Sequence, residues 1–450
     1  MRDLSEIIKA YDVRGLYPEQ LDDQLAFRIG AAFVHELQPP AVVTAHDMRT
    51  SSVPLAAAFA DGVTSQGADV IEAGLGSTDM LYFAAGRLDV AGAMFTASHN
   101  PAQYNGIKLC RAGAAPVGQD SGLREIRQLV ESDAELPGVR ARGTVSRRDV
   151  AGEYATYLRK LVDLSGSRPL KVVVDAGNGM GGFTVPLVLD GLPLDIVPLY
   201  FELDGTFPNH EANPIEPENL RDLQRAVLEH SADIGLAFDG DADRCFLVDE
   251  RGEIVSPSTL TALIAARELD KEPGATILYN LITSRAVPEI VIELGGVPER
   301  TRVGHSFIKE RMAQTGAVFG GEHSGHFYFR NFWRADSGML AALHTLAALG
   351  EQDGPLSALL SRYTRYCASG EINSTVTDAA ARMAQIEARF AGRDGASVDR
   401  LDGLTVSGPD WWINVRPSNT EPLLRLNVEA ADDRRMAALR DEALAVVRGG

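Results

Sequence analysis

Three short runs of apolar and β-branched residues, 41–45 (AVVTA), 171–175 (KVVVD) and 275–279 (ATILY), each lead into a polar loop and then a helix-like stretch. A strand that feeds a helix through a short loop is half of a βαβ crossover, so this recurrence constrains the fold more than any other feature. It predicts three related α/β units rather than a short-period solenoid. The loops that follow the three strands span residues 47–52, 176–182 and 280–285. At 450 residues, 45% of them hydrophobic, the chain has enough apolar mass for several cores. Polar joints are expected within 138–149, 250–257 and 363–371, which divides the chain into segments 1–145, 146–250, 251–366 and 367–450. The last segment reads differently. A helical stretch at 379–390, strand-like runs at 411–415 and 423–428 and a terminal helix describe a smaller α+β module.

Charge narrows the range of partners. Lysine and arginine total 43 against 62 acids, a formal charge of −19, which disfavours nonspecific binding to nucleic acid or anionic membrane. An anionic substrate must then meet a locally basic cleft. The N-terminus carries no basic segment followed by an apolar run, and no stretch approaches the roughly 20 apolar residues of a membrane span, so a cytoplasmic location is expected. Cys110, Cys245 and Cys367 are too scattered for a metal knuckle and are read as reduced packing residues.

Four motifs carry chemistry. Thr96-Ala97-Ser98-His99-Asn100-Pro101 follows the apolar run 91–95 and falls on the loop after a strand, where α/β sheets bind ligands. Ser98 beside His99 is a candidate nucleophile or phosphate carrier, and an ordinary turn is the alternative. Lys108, ten residues on, is suited to holding a phosphate or exchanging a proton. Asp239-Gly240-Asp241-Ala242-Asp243-Arg244 places three carboxylates within five residues, which repel one another unless a cation gathers them. The spacing mimics a calcium EF-hand. However, Arg244 stands where that loop requires glycine, and the flanks 234–238 and 245–248 read as strands. Oxygen-only ligands near a phosphate favour magnesium, with a solvated acidic loop as the alternative. Gly320-Gly321-Glu322-His323-Ser324-Gly325-His326 offers an acceptor in Glu322 and a donor-acceptor in Ser324 on a flexible backbone, a combination that suits sugar hydroxyls. Arg416-Pro417-Ser418-Asn419-Thr420-Glu421-Pro422 joins one guanidinium to several neutral donors, as a phosphate dianion requires, or is a plain hairpin loop.

Together with Tyr11-Asp12-Val13-Arg14-Gly15 and Val303-Gly304-His305-Ser306-Phe307-Ile308-Lys309, these motifs follow the order and spacing of the α-D-phosphohexomutase superfamily, which the whole chain resembles. The resemblance implies four domains around a central cleft, each contributing one motif. It implies a phosphoserine at Ser98, a magnesium ion on Asp239, Asp241 and Asp243 with a further ligand from Ser98, and sugar recognition by Glu322 and Ser324. It also implies that Arg416, Ser418, Asn419 and Thr420 hold the phosphate that is not being transferred. Tyr11, Arg244 and His305 are expected to contact substrate, Arg14 and Arg244 to supply cations, and His99 and Lys108 to move protons.

On this reading the enzyme interconverts hexose 6-phosphates and hexose 1-phosphates through a hexose 1,6-bisphosphate. Two departures from the family pattern stand out. Residues 281–285 lack a lysine that some members carry, a task Arg285 is expected to take over, and His323 replaces the more usual methionine, where it either alters sugar preference or, as is favoured, fills space. Phosphoglucosamine mutase is disfavoured by Asn419 and His323, where that branch usually has glycine and glutamine. A silent sugar-phosphate sensor would have lost the serine, an aspartate or the arginine, and a plain metal-binding protein would need neither the sugar loop nor the phosphate loop.

Overall fold

A computed structural model of the chain describes residues 3–9, 11–132, 136–417 and 423–449, apart from the side chains of 305 and 306. Four sheets organise them. In the first, Ala41–His46 pairs in parallel with Asp69–Leu75 on one side and Ala91–Phe95 on the other, and Tyr104–Cys110 returns antiparallel to Ala91–Phe95. The second repeats this plan: Leu170–Asp175 lies between Leu194–Leu199 and Ile234–Phe238, with Cys245–Asp249 as the return strand. In the third, Thr276–Asn280 lies between Val297–Thr301 and Phe319–Gly321, and Phe327–Phe329 returns. The three runs that began the sequence argument are thus the three equivalent strands.

This plan explains where the motifs fall. In each unit a parallel strand ends and an antiparallel one begins, and the connection between them is a tight loop at the carboxyl end of the parallel strands, the ligand-binding end of such sheets. The serine, aspartate and sugar motifs occupy these three connections. The strands leading into the first two, Ala91–Phe95 and Ile234–Phe238, are buried along their whole length, which matches their unbroken apolar runs rather than an alternating pattern. The aspartate loop links two paired strands, Phe238 facing Cys245, so an EF-hand is excluded by the fold as well as by Arg244.

Two sheets run past the expected joints. Val145–Arg147 extends the first beside Asp69–Leu75, and Ile254–Val255 extends the second beside Cys245–Asp249. The first three units also share one continuous apolar core, assembled from helices Thr78–Leu88, Ala151–Leu161 and Gly338–Gly350. Asp79 sits at this junction. Its carboxylate accepts from Ser77 of its own unit, from the Tyr154 hydroxyl at 2.8 Å in the second and from the Ser337 hydroxyl at 2.6 Å in the third.

The fourth unit keeps a core of its own. Its sheet is antiparallel: Leu423–Ala430 pairs with Trp411–Pro417, Ile372–Thr375 and Cys367–Ala368, and helices Ala379–Phe390 and Asp433–Arg448 pack against it. Among the described residues, no helix is long and apolar enough to cross a membrane.

Candidate active site

Ser98 is held in the left-handed backbone region, φ 50°, which is uncommon for a residue with a side chain. Its N–H donates to Thr96 Oγ1 at 2.9 Å. Its hydroxyl crosses into the second unit and donates to Asp239 Oδ2 at 2.8 Å, while His99 Nδ1 lies 3.3 Å from the same oxygen. Gly240 permits the approach, because a Cβ there would stand 2.3 Å from the Ser98 carbonyl oxygen.

Asp239, Asp241 and Asp243 are all buried, and one oxygen of each lies within 4.8 Å of the others. Lys108 donates to Asp241 Oδ2 at 2.7 Å and to Asp243 Oδ2 at 2.6 Å. Arg244 donates from Nε to Asp239 Oδ2 at 2.8 Å, and the Thr78 hydroxyl donates to Asp241. Asp241 Oδ1 and Asp243 Oδ1 are buried with no hydrogen-bond donor among the described residues. A carboxylate oxygen in that position is open to a cation, and an all-oxygen set fits a hard divalent one. The cluster therefore fits a metal ion.

Burial and charge set the protonation states. Burial pushes the Asp239 carboxyl up to about 7 against the pull of Arg244. Burial acts the same way on Asp241, but the Lys108 ammonium overrides it and holds that carboxyl below the usual range. Burial would lower Lys108; the two aspartates more than reverse this and keep it charged. Burial, helped by Arg244 and Arg14, drives His99 well below the usual histidine range, so its imidazole is neutral at pH 7.

Arg14 donates to Asn100 Oδ1 and to Asp12 Oδ2, both at 2.6 Å. Arg14 Nε and one terminal nitrogen of Arg244 are buried without an acceptor among the described residues, which leaves cationic donors for an anion. Tyr11 reaches the third unit, its ring edge-on to Phe307 at 6.1 Å.

Glu322 is fixed through both oxygens. Oε1 accepts from Asn280 at 3.2 Å and from the Gly304 N–H at 3.1 Å, and Oε2 accepts from the Tyr328 hydroxyl at 2.6 Å. Ser324 Oγ lies 3.0 Å from His326 Nδ1, and His326 Nε2 lies 3.8 Å from Asp243 Oδ1. His326 thereby links the sugar loop to the aspartate cluster, and a backbone bridge between Arg244 and His326 joins the same two loops. His323 Nδ1 lies 3.3 Å from Ser258 Oγ, and the residue lines a cavity of about 180 Å³ with Trp412, Asn427 and Glu429.

Arg285 differs from expectation. Its guanidinium is taken up by Glu289 at 3.1 Å, the Gly408 carbonyl at 3.3 Å and the Tyr366 ring at 5.3 Å, so it ties the third unit to the fourth instead of replacing the missing lysine. Arg416 pairs with Glu371 at 3.1 Å inside its own unit, and Arg425 holds the other oxygen of that carboxylate at 3.3 Å. Ser418, Asn419 and Thr420 lie outside the described residues, as does the side chain of His305, which opens the helix His305–Thr315. Sequence reasoning missed Arg49, Thr78, Asn100 and Asn280 as supports of the site. His326 was visible only as the last residue of its motif.

Four domain descriptions match the chain in succession: Phosphoglucomutase/phosphomannomutase alpha/beta/alpha domain I over residues 5–136, domain II over 152–252 and domain III over 256–366, and the C-terminal domain over 371–446. The chain belongs to the phosphoglucomutase/phosphomannomutase family. It is 41% identical over 434 residues to a phosphomannomutase of Salmonella montevideo, covering 94% of this chain and 95% of the relative. It is 42% identical over 445 residues to a protein named phosphohexose mutases from Xanthomonas campestris, covering 98% and 99%. The crystal structure of a phosphoglucomutase/phosphomannomutase family protein from Burkholderia thailandensis superposes with a TM-score of 0.90 at 34% identity, covering 100% of this chain and 99% of that one. This phosphohexomutase, an isomerase by family, carries its serine, aspartate and sugar motifs in the first, second and third matched domains respectively.

Proposed function

We propose that this phosphohexomutase interconverts mannose 6-phosphate and mannose 1-phosphate, and the glucose pair less favourably, through a phosphoserine at Ser98 and a hexose 1,6-bisphosphate. The observation that carries this reading is the meeting of the Ser98 hydroxyl, 2.8 Å from Asp239, with a carboxylate cluster that keeps two donor-free oxygens. Asp239, Asp241, Asp243 and an oxygen of the phosphorylated serine would hold Mg2+, which supplies charge neutralisation for the transferring phosphoryl group.

The chain's own groups account for the remaining work. Phosphoserine 98 transfers its phosphoryl group to the free hydroxyl of a hexose monophosphate: the Oγ–P bond breaks, a bond from phosphorus to the sugar oxygen forms, and the proton shed by the sugar balances the one the serine oxygen gains. The bisphosphate turns over in the cleft, and Ser98 takes back the other phosphate. In that half the serine proton, which Oγ directs to Asp239 Oδ2 at 2.8 Å, must leave; His99, with Nδ1 3.3 Å from Oγ, and Lys108 are the groups placed to move it. Lys108, bonded to Asp241 and Asp243, also places a positive field beside the serine. Arg14 and Arg244 contribute free guanidinium donors to the phosphoryl oxygens. Arg416, with Ser418, Asn419 and Thr420, receives the phosphate that is not transferred, and Tyr11 and His305 complete the substrate contacts.

Glu322 and Ser324 are suited to the 3- and 4-hydroxyls, which mannose and glucose share, so both sugars should turn over. The phosphomannomutase names of the relatives favour mannose. A coupled assay with mannose 1-phosphate and glucose 1-phosphate, primed with hexose 1,6-bisphosphate as activator, tests this. The two specificity constants should lie within roughly a thousandfold, about 4 kcal/mol. A phosphate increment of ~80 Da on the isolated protein should map to Ser98, and its absence together with undiminished turnover would remove the proposed intermediate.

A further inference from the structure

The loop after each central strand supports the loop that carries the chemistry. In the second unit the Met180 N–H donates to the Gly240 carbonyl at 2.9 Å; in the third, Asn280 donates to Glu322 at 3.2 Å. The first unit has the most developed version of this support. Arg49 is 2% exposed, and its two terminal nitrogens donate to four backbone carbonyls of the serine loop. One reaches Pro101 and Tyr104 at 2.9 and 3.0 Å, the other Ser98 and Asn100 at 3.0 and 2.6 Å. Nε faces Asp47 Oδ2 at 3.3 Å, and Asp47 is itself held by the Ser52 hydroxyl at 2.6 Å.

We propose that Arg49 is a positioning residue that holds the serine loop in its reactive shape and makes that shape depend on docking of the second unit. The proposal rests on Ser98 as the phosphate carrier. Converging buried carbonyls repel one another, and a left-handed serine is strained by about 1–3 kcal/mol, so the loop needs an external brace. A planar fork with five N–H donors can brace four carbonyls at once, which the three donors of lysine cannot do. The cover comes from the second unit: the Phe207 ring lies 4.9 Å from the guanidinium carbon, and a Cβ on Gly205 would fall 2.7 Å from Arg49 Cα. The unit that delivers the aspartates therefore also seals the brace of the serine.

Arg49→Lys and Arg49→Gln should lower kcat by about a hundredfold while KM stays within about threefold, since the sugar and phosphate contacts are untouched. The phosphorus-31 resonance of phosphoserine 98 should shift or broaden in both variants, a signature that mere loss of stability would not produce. Phe207→Ala removes only the cover and should lower kcat about fivefold, which keeps the test open if the Arg49 variants do not fold. Wild-type kcat and an unmoved resonance, in Arg49 variants that still carry phosphate on Ser98, would overturn the proposal. If wild-type protein carried no phosphate on Ser98 and Ser98→Ala kept its turnover, the parent reading would fail instead.

Discussion

The first three units and the fourth hold their functional groups in different ways. In the first three, side chains from separate units are already in contact: Ser98 meets Asp239 at 2.8 Å across 141 residues of sequence, and Thr78 bonds to Asp241 across 163. One apolar core runs through all three, with Asp79 bonded to each. In the fourth unit Arg416 is turned onto Glu371 of its own unit, the core is separate, and the attachment to the third unit is a set of local ties. These include Arg285 with Glu429 and Gly408, Val303 with Asp402, Arg300 with Asp399, and a small apolar contact of Leu281 and Ile282 with Trp412. The groups proposed to do the chemistry therefore sit on units packed around one core, which suits chemistry that needs close placement. Arg416, proposed to hold the phosphate that is not transferred, sits in the unit with a core of its own.

Ser98 stands where the first and second units meet, and its loss should cost the most. Ser98→Ala should reduce turnover by about four orders of magnitude or more, because the covalent relay is gone. The fold should persist, since the lost hydroxyl leaves Asp239 still bonded to Arg244. Activity within tenfold of wild type would break the assignment. Stripping divalent ions with a chelator should abolish turnover, and Mg2+ should restore it better than Ca2+, which holds looser geometry. Asp241→Asn should lower kcat by about a hundredfold or more and weaken Mg2+ binding, measured by titrating activity against the ion. Equal rescue by Ca2+ would count against the ligand set.

The fourth unit should respond differently. A phosphate that is not being transferred is gripped equally in the ground and transition states, so Arg416→Ala should raise KM by about thirtyfold and change kcat by less than about fivefold, an effect near 2 kcal/mol for a charge-assisted contact. A fall in kcat matching that of Asp241→Asn would mean that the fourth unit and the other three are not separable in function.

The same division governs what is legible in sequence. The three central strands are readable because unbroken β-branched runs of that length are a local signal, and the motif loops because Gly, Ser, Asp and Asn announce turns by their own chemistry. Val145–Arg147 and Ile254–Val255 are not readable. They are only three and two residues long, the first of them fully exposed, and they become strands through the sheet edge beside them rather than through a readable run. In the site, residues inside a motif are legible and their supports are not. Arg49 is one arginine in a polar loop until four carbonyls from residues 98 to 104 surround it, and Thr78 is an ordinary helix start until Asp241 arrives. Arg285 is the reverse case. Its place in the loop suggested substrate, but Glu289 and Tyr366 of its own unit and Gly408 from across the joint claim it.

The smallest effect on turnover belongs to Asp79, and it sharpens the comparison through stability. Burial raises its carboxyl from the ordinary value to about 6, against three hydroxyl donors that partly favour the charged form. The folded state thus keeps its proton between about pH 4 and pH 6, where the unfolded chain has already lost it. The folded state binds more protons in that window, so this residue's contribution to stability falls as pH rises through it and is constant above. The difference amounts to about 3 kcal/mol as an order of magnitude, at 1.36 kcal/mol per pH unit. Asp79→Asn cannot titrate, and the surrounding hydroxyls can turn to accept from its amide, so the variant should be less stable than wild type near pH 4 and should recover relative to it by pH 7. Denaturant unfolding in the presence of chelator at pH 4, 5, 6 and 7 measures this, and turnover at neutral pH should stay within about threefold of wild type. Hydrogen exchange locates it: protection in Gly338–Gly350, which packs in the shared core, should follow the pH-dependent difference, whereas protection in Leu423–Ala430 of the fourth unit should not. Parallel changes in both segments would show that the fourth unit unfolds with the other three, and the separation between the three units that share a core and the fourth would have to be abandoned.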